Sequence, residues 1–456
     1  MTPRERTYFM DNNNHMFSNK QLVAILTPVI IEQILNMLMG TVDTMMVSNV
    51  GSAAISAVSL VDSLNVLLIQ LFAALATGGT IICSQYMGAK DVKKATNAAK
   101  QVLFTSFAIG MVLTIILFIV RAPLLSFIFG EVEKEVMQNS LTYFMITLLS
   151  FPFLAIYNSG AAIFRAQEDT KTPMLVSFAS NIVNVVGNAV LIFGFHIGVT
   201  GAALSTLFSR IVLAVWILIL LKKKENKIVV SGYLSIRPDK PIIVKILALG
   251  IPSGIENSMF QLGKLAIQSS VSTLGTVAIA AQAMTSMLEM LNGMAAVGAG
   301  MALMTIVGQC IGAGRDDEAI YYTKKVCIIS EVIVVVSCLL TFAATKPIIY
   351  LGGMEKASGD LCFYMMCWIT VIKPFVWLMA FIPGYGMRAA GDVKFSMIAS
   401  SITMWTVRVG LAVVLIRVFH WGPMAVWVGM MSDWTARSII FTYRFKSRKW
   451  LRHKVV

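Results

Sequence analysis

The amino-acid sequence predicts an all-α integral membrane protein with twelve transmembrane helices in two six-helix lobes. Composition indicates the class: 57% of the 456 residues are hydrophobic, 13% are charged, and the mean hydropathy is +0.77. Soluble domains carry roughly a quarter charged residues. The helix count comes from the long apolar stretches, and the two lobes come from an internal repeat at an offset of about 224 residues.

Twelve stretches are long and apolar enough to cross a bilayer as helices, which takes about 20 residues each. Glycine and polar residues interrupt the first, second, seventh and eighth stretches. The predicted spans lie near 21–48, 53–82, 100–121, 139–164, 172–194, 199–221, 243–270, 277–307, 322–345, 361–386, 395–417 and 422–443.

The distribution of basic residues predicts the orientation in the membrane. The chain has 37 Lys and Arg against 23 Asp and Glu, a formal net charge of +14. Alternate loops and both ends hold most of the basic residues, including "KKKENK" in the middle and "RFKSRKWLRHKVV" at the end. By the positive-inside rule both termini are cytoplasmic, in a multi-pass protein of the plasma (inner) membrane. We expect the basic tail to face anionic lipid, with no role in binding nucleic acid. The opposite side holds Arg121, Lys134, Lys346, Lys356 and Arg417.

The internal repeat divides the chain into two similar halves. Because each half has an even number of spans, the halves share one orientation around an axis along the membrane normal. We predict an N-terminal lobe over residues 1–221, a cytoplasmic linker over 222–242 and a C-terminal lobe over 243–456. Duplicated lobes with short loops are typical of a transporter. Matching pairs include Pro28 and Pro252, Glu32 and Glu256, Gln85 and Gln309, Pro123 and Pro347, and His196 and His420.

Polar side chains interrupt the first and fifth predicted helices, each set on one helical face. At 100 degrees per residue the two sets fall within about 40 and about 60 degrees. A charge at the bilayer centre costs at least about 3 kcal/mol on insertion scales. Asp43 is therefore expected to bind a proton or a cation, with amide oxygens as further ligands. The sets are Glu32, Asn36 and Asp43 on the first helix and Asn181, Asn184 and Asn188 on the fifth.

The second half lacks this polar set. In membranes, Asn, Ser and Thr often serve only to hold helices together through hydrogen bonds. A structural role of this kind is the alternative to ion binding for any one of these residues. If the fold itself needed the polar groups, however, the second half would need them too. A function in the first lobe is the better interpretation. At the offset of 224, Asp43, Asn184, Asn188 and Thr206 correspond to Ile267, Arg408, Ala412 and Met430.

Glu32 and Glu256 behave in the opposite way, since each follows a proline by four residues in its own half. A residue that both halves keep points to structure or gating. Intramembrane carboxylates are nevertheless functional candidates by default. We retain both glutamates as candidates for gating or for substrate contact.

The eighth helix and its surroundings offer candidates for substrate contact. Met287, Met290 and Met294, with Met301, fall within about 60 degrees on the helix. Thioether side chains adapt to varied apolar ligands, although ordinary packing is the alternative. Glu289 on another face offers charge for a cationic compound.

Intramembrane cations complete the list of candidates. Arg408 beside Trp405 could contact an anionic or aromatic compound. The alternative is buried ion pairing, in which the intramembrane cations neutralise Glu256 and Glu289. The cations available for such pairs are Lys264, Lys373, Arg408 and Arg437.

The chain resembles the multidrug and toxic compound extrusion (MATE) family of transporters over nearly its whole length. The resemblance is carried in order by "TPVIIEQILNMLMGTVDTMMVSNVGSAAISAVSL", "FRAQEDTKTPM", "NIVNVVGNAVLIFGFHIGVTGAALST", "LGIPSGIENSMF" and "VGQCIGAGRDDEA". It implies a two-lobed antiporter that exports organic, often cationic or amphiphilic, compounds in exchange for Na+ or H+. The family's prokaryotic branches also have a cation site in the first lobe. Matched residue by residue, that site is Asp43, Asn158, Asn184, Asn188 and Thr206.

One residue departs from the family pattern, because the position of Asn188 often holds Asp. The site then has one formal carboxylate, which leaves the coupling ion open between Na+ and H+. If the ion is Na+, its candidate ligands are Asp43, Asn158, Asn184 and Asn188. We expect no cofactor besides this ion, and a monomer whose partners are small organic compounds and the bilayer.

Other classes of function fit the sequence less well. A flippase or exporter of a lipid-linked saccharide, or of another amphiphilic metabolite, is the nearest alternative, since it would share this architecture. Such flippases are expected to have cationic cavities and often fourteen spans. An intramembrane enzyme is not expected, because the four histidines lie in tails or loops and no His-Glu-x-x-His helix is present.

Overall fold

A computed structural model describes residues 15–130 and 132–456 of the chain. Its long helices follow the twelve predicted spans in order, and we number them α1 to α12. They are α1 Asn19–Ser48, α2 Ser52–Gly88, α3 Val92–Phe129, α4 Lys134–Leu149 with Phe151–Ala166, α5 Lys171–Asn188, α6 Gly198–Leu221, α7 Lys240–Val271, α8 Thr276–Gly312, α9 Asp316–Leu351, α10 Lys356–Ala389, α11 Val393–Ile402 with Gly410–Arg417, and α12 Met424–Lys446.

These helices confirm the predicted class of an all-α membrane protein. Within the described ranges, ten helices are long and apolar enough to span a bilayer, and the two segments of α4, bent by 43°, form an eleventh span. The twelfth span is α12, whose mean hydropathy is lowered by the buried residues Asp433 and Arg437. These charges point inward, and the exposed side chains of α12 are Thr435, Ile439, Tyr443 and, at its end, Lys446.

Two helices carry a turn of π-helix. One turn follows directly on α5, over the apolar residues Ala189–Gly194, and the other divides α11 over Thr403–Val409, which includes the buried Arg408. Such turns widen the helix and occur frequently at functional sites. Both belong to the fifth helix of their half, at positions that do not coincide at the offset of 224 residues.

The two halves meet most closely where α2 crosses α8. A Cβ atom at Gly88 would lie 2.0 Å from the carbonyl oxygen of Gln309, and one at Gly312 would lie 1.9 Å from that of Gln85. Only glycine permits so close an approach of two backbones. The same two glutamines bond across the seam, with Gln85 Nε2 donating to Ala389 O at 2.8 Å and Gln309 Nε2 to Ala166 O at 2.9 Å.

The close contacts between the halves lie toward the end of the molecule that carries most of the basic residues. Further along α8, a Cβ at Gly298 would lie 2.8 Å from the Cα of Ile30. Beyond this level α1 loses its buried face, and the described side chains between Gln33 and Met46 are half-buried or exposed. The seam is therefore closed at the basic end.

The basic tail packs against the protein at this closed end. Trp450 is buried and stacks on Phe445, with ring centroids 5.6 Å apart. Beyond it, Val455 N donates to Gln85 Oε1 at 3.2 Å, and Lys454 Nζ lies 3.2 Å from Asp316 Oδ1. The basic side chains of the tail stay exposed at Lys446, Arg448, Lys449, Arg452 and Lys454, so its expected contact with anionic lipid stays a prediction.

Candidate coupling site

Asp43 lies five residues before the end of α1, on the side facing α5 and α6. Asn184 and Asn188 stand one turn apart on α5, so that both side chains point the same way. Thr206 lies on α6, opposite Asn184. Four residues of the predicted set therefore meet in one place.

The two asparagines contact the carboxylate directly. Asn188 Nδ2 donates to Asp43 Oδ1 at 2.9 Å. Asn184, with its amide nitrogen turned toward the carboxylate, donates to Oδ1 at 2.7 Å and to Oδ2 at 3.1 Å. Its other amide atom lies 3.4 Å from Thr206 Oγ1. Both asparagines are buried, whereas Asp43 is half-buried and accessible to an ion.

The cluster also contains an oxygen without a hydrogen-bond donor. Within the part of the chain that the structure describes, the buried Oδ1 of Asn188 has no hydrogen-bond partner. A buried acceptor left unpaired is costly. A monovalent cation beside Asp43 could use this oxygen as a ligand, because amide and carboxylate oxygens suit hard cations.

A second carboxylate and an arginine lie beside this cluster. Asp62 on α2 accepts from Asn65 Nδ2 at 3.1 Å and from Tyr143 Oη at 3.3 Å. Arg210 on α6 donates to Ser150 Oγ at 2.7 Å, and both Asp62 and Arg210 are close enough to interact electrostatically with Asp43. Our sequence reasoning missed their role. Each of them is an ionisable residue within an apolar span, which is a signal that the sequence offers. Their closeness to Asp43, however, depends on packing between helices.

Asn158 does not join the cluster by any hydrogen bond within the described residues. It is half-buried on α4, where the neighbouring Tyr157 reaches Glu32. The polar face of α1 continues below the cluster instead, where Asn36 Oδ1 accepts from Ser177 and Asn181 of α5. The role of Asn158 stays a prediction.

The two repeated glutamates form matching ion pairs. Glu32 is buried and binds Arg165 Nη2 through both oxygens at 2.9 Å. Glu256 lies 3.4 Å from Arg388 Nη1. The two arginines are 223 positions apart, so the repeat has slipped by one residue at this point. This geometry favours the structural interpretation of both glutamates.

The candidate residues of α8 divide into exposed and packed groups. Met287 and Met290 are exposed, Met294 is half-buried, and Met301 packs against the core. Glu289 lies 2.6 Å from Lys373 Nζ, so it takes part in an ion pair. Met287 and Met290 remain the accessible members.

The expected partners of the intramembrane cations need correction. We expected the buried cations to neutralise Glu256 and Glu289, and this is right for Lys373 and Glu289. Glu256 pairs instead with Arg388. Arg408 and Arg437 both bind Asp433 of α12, at 2.7 and 3.1 Å. Asp433 was overlooked as their partner, although it lies inside the predicted span 422–443.

Comparison with known proteins agrees with this architecture. The MatE family profile matches residues 28–190 and again 252–414, in keeping with the repeat. The "Probable multidrug resistance protein NorM" of Thermotoga maritima is 26% identical over 444 residues, which cover 96% of this chain and 94% of that protein. The "Multidrug export protein MepA" of Staphylococcus saprophyticus is 24% identical over 365 residues, 79% of each chain.

Solved structures show the same fold. A crystal structure of MATE in the straight conformation superposes with a TM-score of 0.88 at 21% identity, covering 94% of this chain and 96% of that one. The family profile matches both halves of the chain, and the helices have the same fold as that crystal structure. This protein is a multi-pass membrane transporter of the MATE family.

Proposed function

We propose that this protein is a cation-coupled antiporter that exports organic amphiphiles from the cytoplasm by alternating access, with Asp43 as the coupling carboxylate. The observation that carries the proposal is the asymmetry between the halves. Asp43 meets two amides in the first half, whereas the corresponding position in the second half is the buried apolar residue Ile267. The fold therefore does not require a carboxylate at this position.

The amide of Asn184 suits an exchange of protons at Asp43. When Asp43 is ionised, the Asn184 nitrogen donates to the carboxylate at 2.7 Å. When Asp43 is protonated, the same amide turned over accepts the proton with its oxygen, and its nitrogen faces Thr206 Oγ1 at 3.4 Å. Each state of Asp43 thus has a complete set of partners. A Na+ ion would instead gather the oxygens of Asp43, Asn184 and Asn188 around itself.

Ion binding can drive transport because the two states of Asp43 pack differently. An ion that binds one conformation more tightly than the other shifts the balance between them by that difference in affinity. One positive charge entering down a membrane potential of 100 mV contributes about 2.3 kcal/mol. That free energy is available to release substrate against its gradient.

The seam between the halves is the element that has to open. In this structure it is closed at the basic end by the bonds from Gln85 to Ala389 and from Gln309 to Ala166. Following the positive-inside rule, we place this end and both termini in the cytoplasm of a plasma-membrane monomer. The conformation described then faces outward, and the inward-facing form requires both glutamine bonds to break.

Dye efflux from proteoliposomes tests the proposal. Na+ and pH gradients are imposed separately on vesicles containing wild type, Asp43→Asn, or the matched control Asp360→Asn, whose carboxylate is exposed. Ethidium serves as the cationic probe and anilinonaphthalene sulfonate as the anionic one. We expect one of the two gradients, Na+ or pH, to drive efflux in wild type and in the control. In Asp43→Asn the rate of this gradient-driven efflux should fall at least about tenfold. Undiminished gradient-driven efflux by Asp43→Asn would show the proposal to be wrong.

A further inference from the structure

Three cationic side chains converge on one aromatic ring inside the second half. The ring is that of Phe260 on α7. Its centroid lies 4.9 Å from Arg408 Cζ, 5.9 Å from Arg437 Cζ and 5.2 Å from Lys264 Nζ. Contact with the face of a ring stabilises a cation, but it does not neutralise its charge.

The carboxylates nearby are too few to balance these cations. Asp433 is buried and serves both arginines, with Arg408 at 2.7 Å and Arg437 at 3.1 Å. Glu289 is already paired with Lys373. Four cations therefore face two carboxylates. Three of these cations, Arg408, Arg437 and Lys373, are buried, so the buried part of the cluster carries one positive charge more than Asp433 and Glu289 balance. Ion pairs that only held the fold together would be expected to match in charge, because an unpaired buried charge is costly.

The unpaired polar atoms of this region call for an acceptor. Within the described residues, Arg437 Nε, Trp434 Nε1 and Asn292 Nδ2 are buried and have no hydrogen-bond partner. Trp434 and Asn292 lie around Lys373, the partner of Glu289, since Lys373 Nζ lies 5.7 Å from the Trp434 ring and donates to Asn292 Oδ1. All three unpaired atoms are N–H donors, which only an acceptor such as an oxyanion can satisfy.

The less buried members of the cluster lie on α7 and α8, the two helices that contact the first half. Lys264 is exposed, and Phe260 and Glu289 are half-buried, on α7 and α8. These two helices contact the first half directly, through Asn257 to Gln70 at 3.3 Å and through Gly298 to Ile30. An apolar ligand body could rest on the exposed Met290 while its charged group reaches past Phe260.

We propose that this cluster is the binding site for the anionic group of the transported compound, which is an amphiphile carrying a carboxylate, sulfonate or phosphate. Arg437 and Arg408 bind the oxyanion, because planar guanidinium groups match its geometry. Phe260 covers the site, and Lys264 attracts the anion at its entrance. The inference rests on the proposed transport function and proposes an anionic group for its substrate, since a simple organic cation would be repelled here.

Two probes that differ by one sulfonate group test the site. Binding of anilinonaphthalene sulfonate and of uncharged N-phenylnaphthylamine is followed by fluorescence on the purified full-length protein, with empty micelles subtracted. Arg437→Gln leaves Asp433 paired with Arg408, so the protein is expected to fold. Arg417→Gln removes an exposed arginine at the end of α11 and is the matched control.

We expect Arg437→Gln to bind the sulfonate probe roughly tenfold to a hundredfold more weakly, with unchanged affinity for the uncharged probe. Arg417→Gln should match wild type with both. Equal sulfonate affinity in wild type and Arg437→Gln would overturn the proposal. Displacement of the probe by inorganic phosphate at the probe's own concentration would also overturn it, because that result describes a site for small free anions.

The same experiment separates this inference from the proposed coupling role. Probe binding at equilibrium needs no ion gradient, so Asp43→Asn should retain a site that discriminates the sulfonate from the uncharged probe. If Asp43→Asn exports normally but Arg437→Gln still loses the sulfonate probe, the coupling proposal fails and the anion site stands. If coupling fails in Asp43→Asn but Arg437→Gln binds normally, only the anion site fails.

Discussion

The interiors of the two halves differ in the charge of their ionisable side chains, although their helices are arranged in the same way. The first half gathers two carboxylates, Asp43 and Asp62, around amides and one arginine. The second half gathers cations around Phe260 and Asp433. Since the helices correspond one to one, the difference cannot be a requirement of the fold. In the two proposals above, the first half exchanges the ion and the second half recognises the charge of the substrate.

The seam between the halves shows the reverse pattern. Gln85 and Gln309 make equivalent bonds, Gly88 and Gly312 make equivalent backbone contacts, and the pairs Glu32–Arg165 and Glu256–Arg388 recur. Features needed to hold and move the two halves have stayed alike. The residues that we propose to bind the ion and the substrate differ between the halves.

The largest expected effect concerns the stability of the two interiors. Asp433→Asn leaves Arg408 and Arg437 buried without a counter-ion, and we expect it to cost about 3–5 kcal/mol in the free energy of unfolding. Asp43→Asn should cost little, because it removes a charge from the membrane interior and the new amide can still bond to Asn184 and Asn188. Thermal unfolding of the purified proteins, with Asp360→Asn as control, measures both. Equal melting temperatures for the Asp433 and Asp43 variants would contradict the division proposed here.

The next effect concerns the shared ion pairs. Glu32→Gln should lower the free energy of unfolding by about 3 kcal/mol, because Arg165 would lose a bidentate, buried partner. Glu256→Gln should cost about 1 kcal/mol, since its pair is longer and less buried. Both variants should retain ion-driven efflux if these glutamates are structural. Loss of efflux in a variant that folds normally would assign that glutamate to transport.

A methyl group in the seam should favour opening at the basic end. Gly312→Ala places a Cβ against the carbonyl of Gln85, so we expect α2 and α8 to separate. Cys83 and Cys310 are buried beside this contact and report on it directly. Their reaction with a thiol reagent, followed by mass spectrometry, should become severalfold faster. Gly422→Ala, where a Cβ meets open space, is the control and should leave the rate unchanged.

The smallest effect concerns the choice of ion. Asn188→Asp adds a carboxylate beside Asp43 and removes the amide that donates to it. We expect a few-fold stronger dependence of efflux on Na+, because a second negative charge favours a bound metal ion over a single proton. Efflux under separate Na+ and pH gradients measures this shift. An unchanged ion preference would mean that Asn188 lies outside the ion's reach.

Much of the fold and part of the site could be predicted from the sequence. Hydropathy, charge bias and the repeat predicted the helices in order, and the spacing of Asn184 and Asn188 placed both on one face. The resemblance to the family then assigned Asp43 and Thr206 to the same predicted site. Asp62 and Arg210 could not be added in this way, because their approach to Asp43 depends on how α2 and α6 pack.

The same limit explains the errors in the second half. Charge pairing within a membrane is set by which helices are neighbours and by their rotation, and neither follows from spacing along one helix. Asp433 was therefore overlooked as the partner of Arg408 and Arg437. The packing of the C-terminal tail against the rest of the protein could likewise not be predicted, because the burial of Trp450 depends on a surface formed by distant segments of the chain.

The central claim is that ion occupancy at Asp43 and substrate binding at Arg437 are linked across the two halves. The most direct measurement is the affinity of purified protein for anilinonaphthalene sulfonate over independent series of pH and Na+ concentration. In wild type, raising the concentration of the coupling ion should weaken probe binding, and in Asp43→Asn this dependence should vanish. The same ion dependence in both proteins would contradict the account.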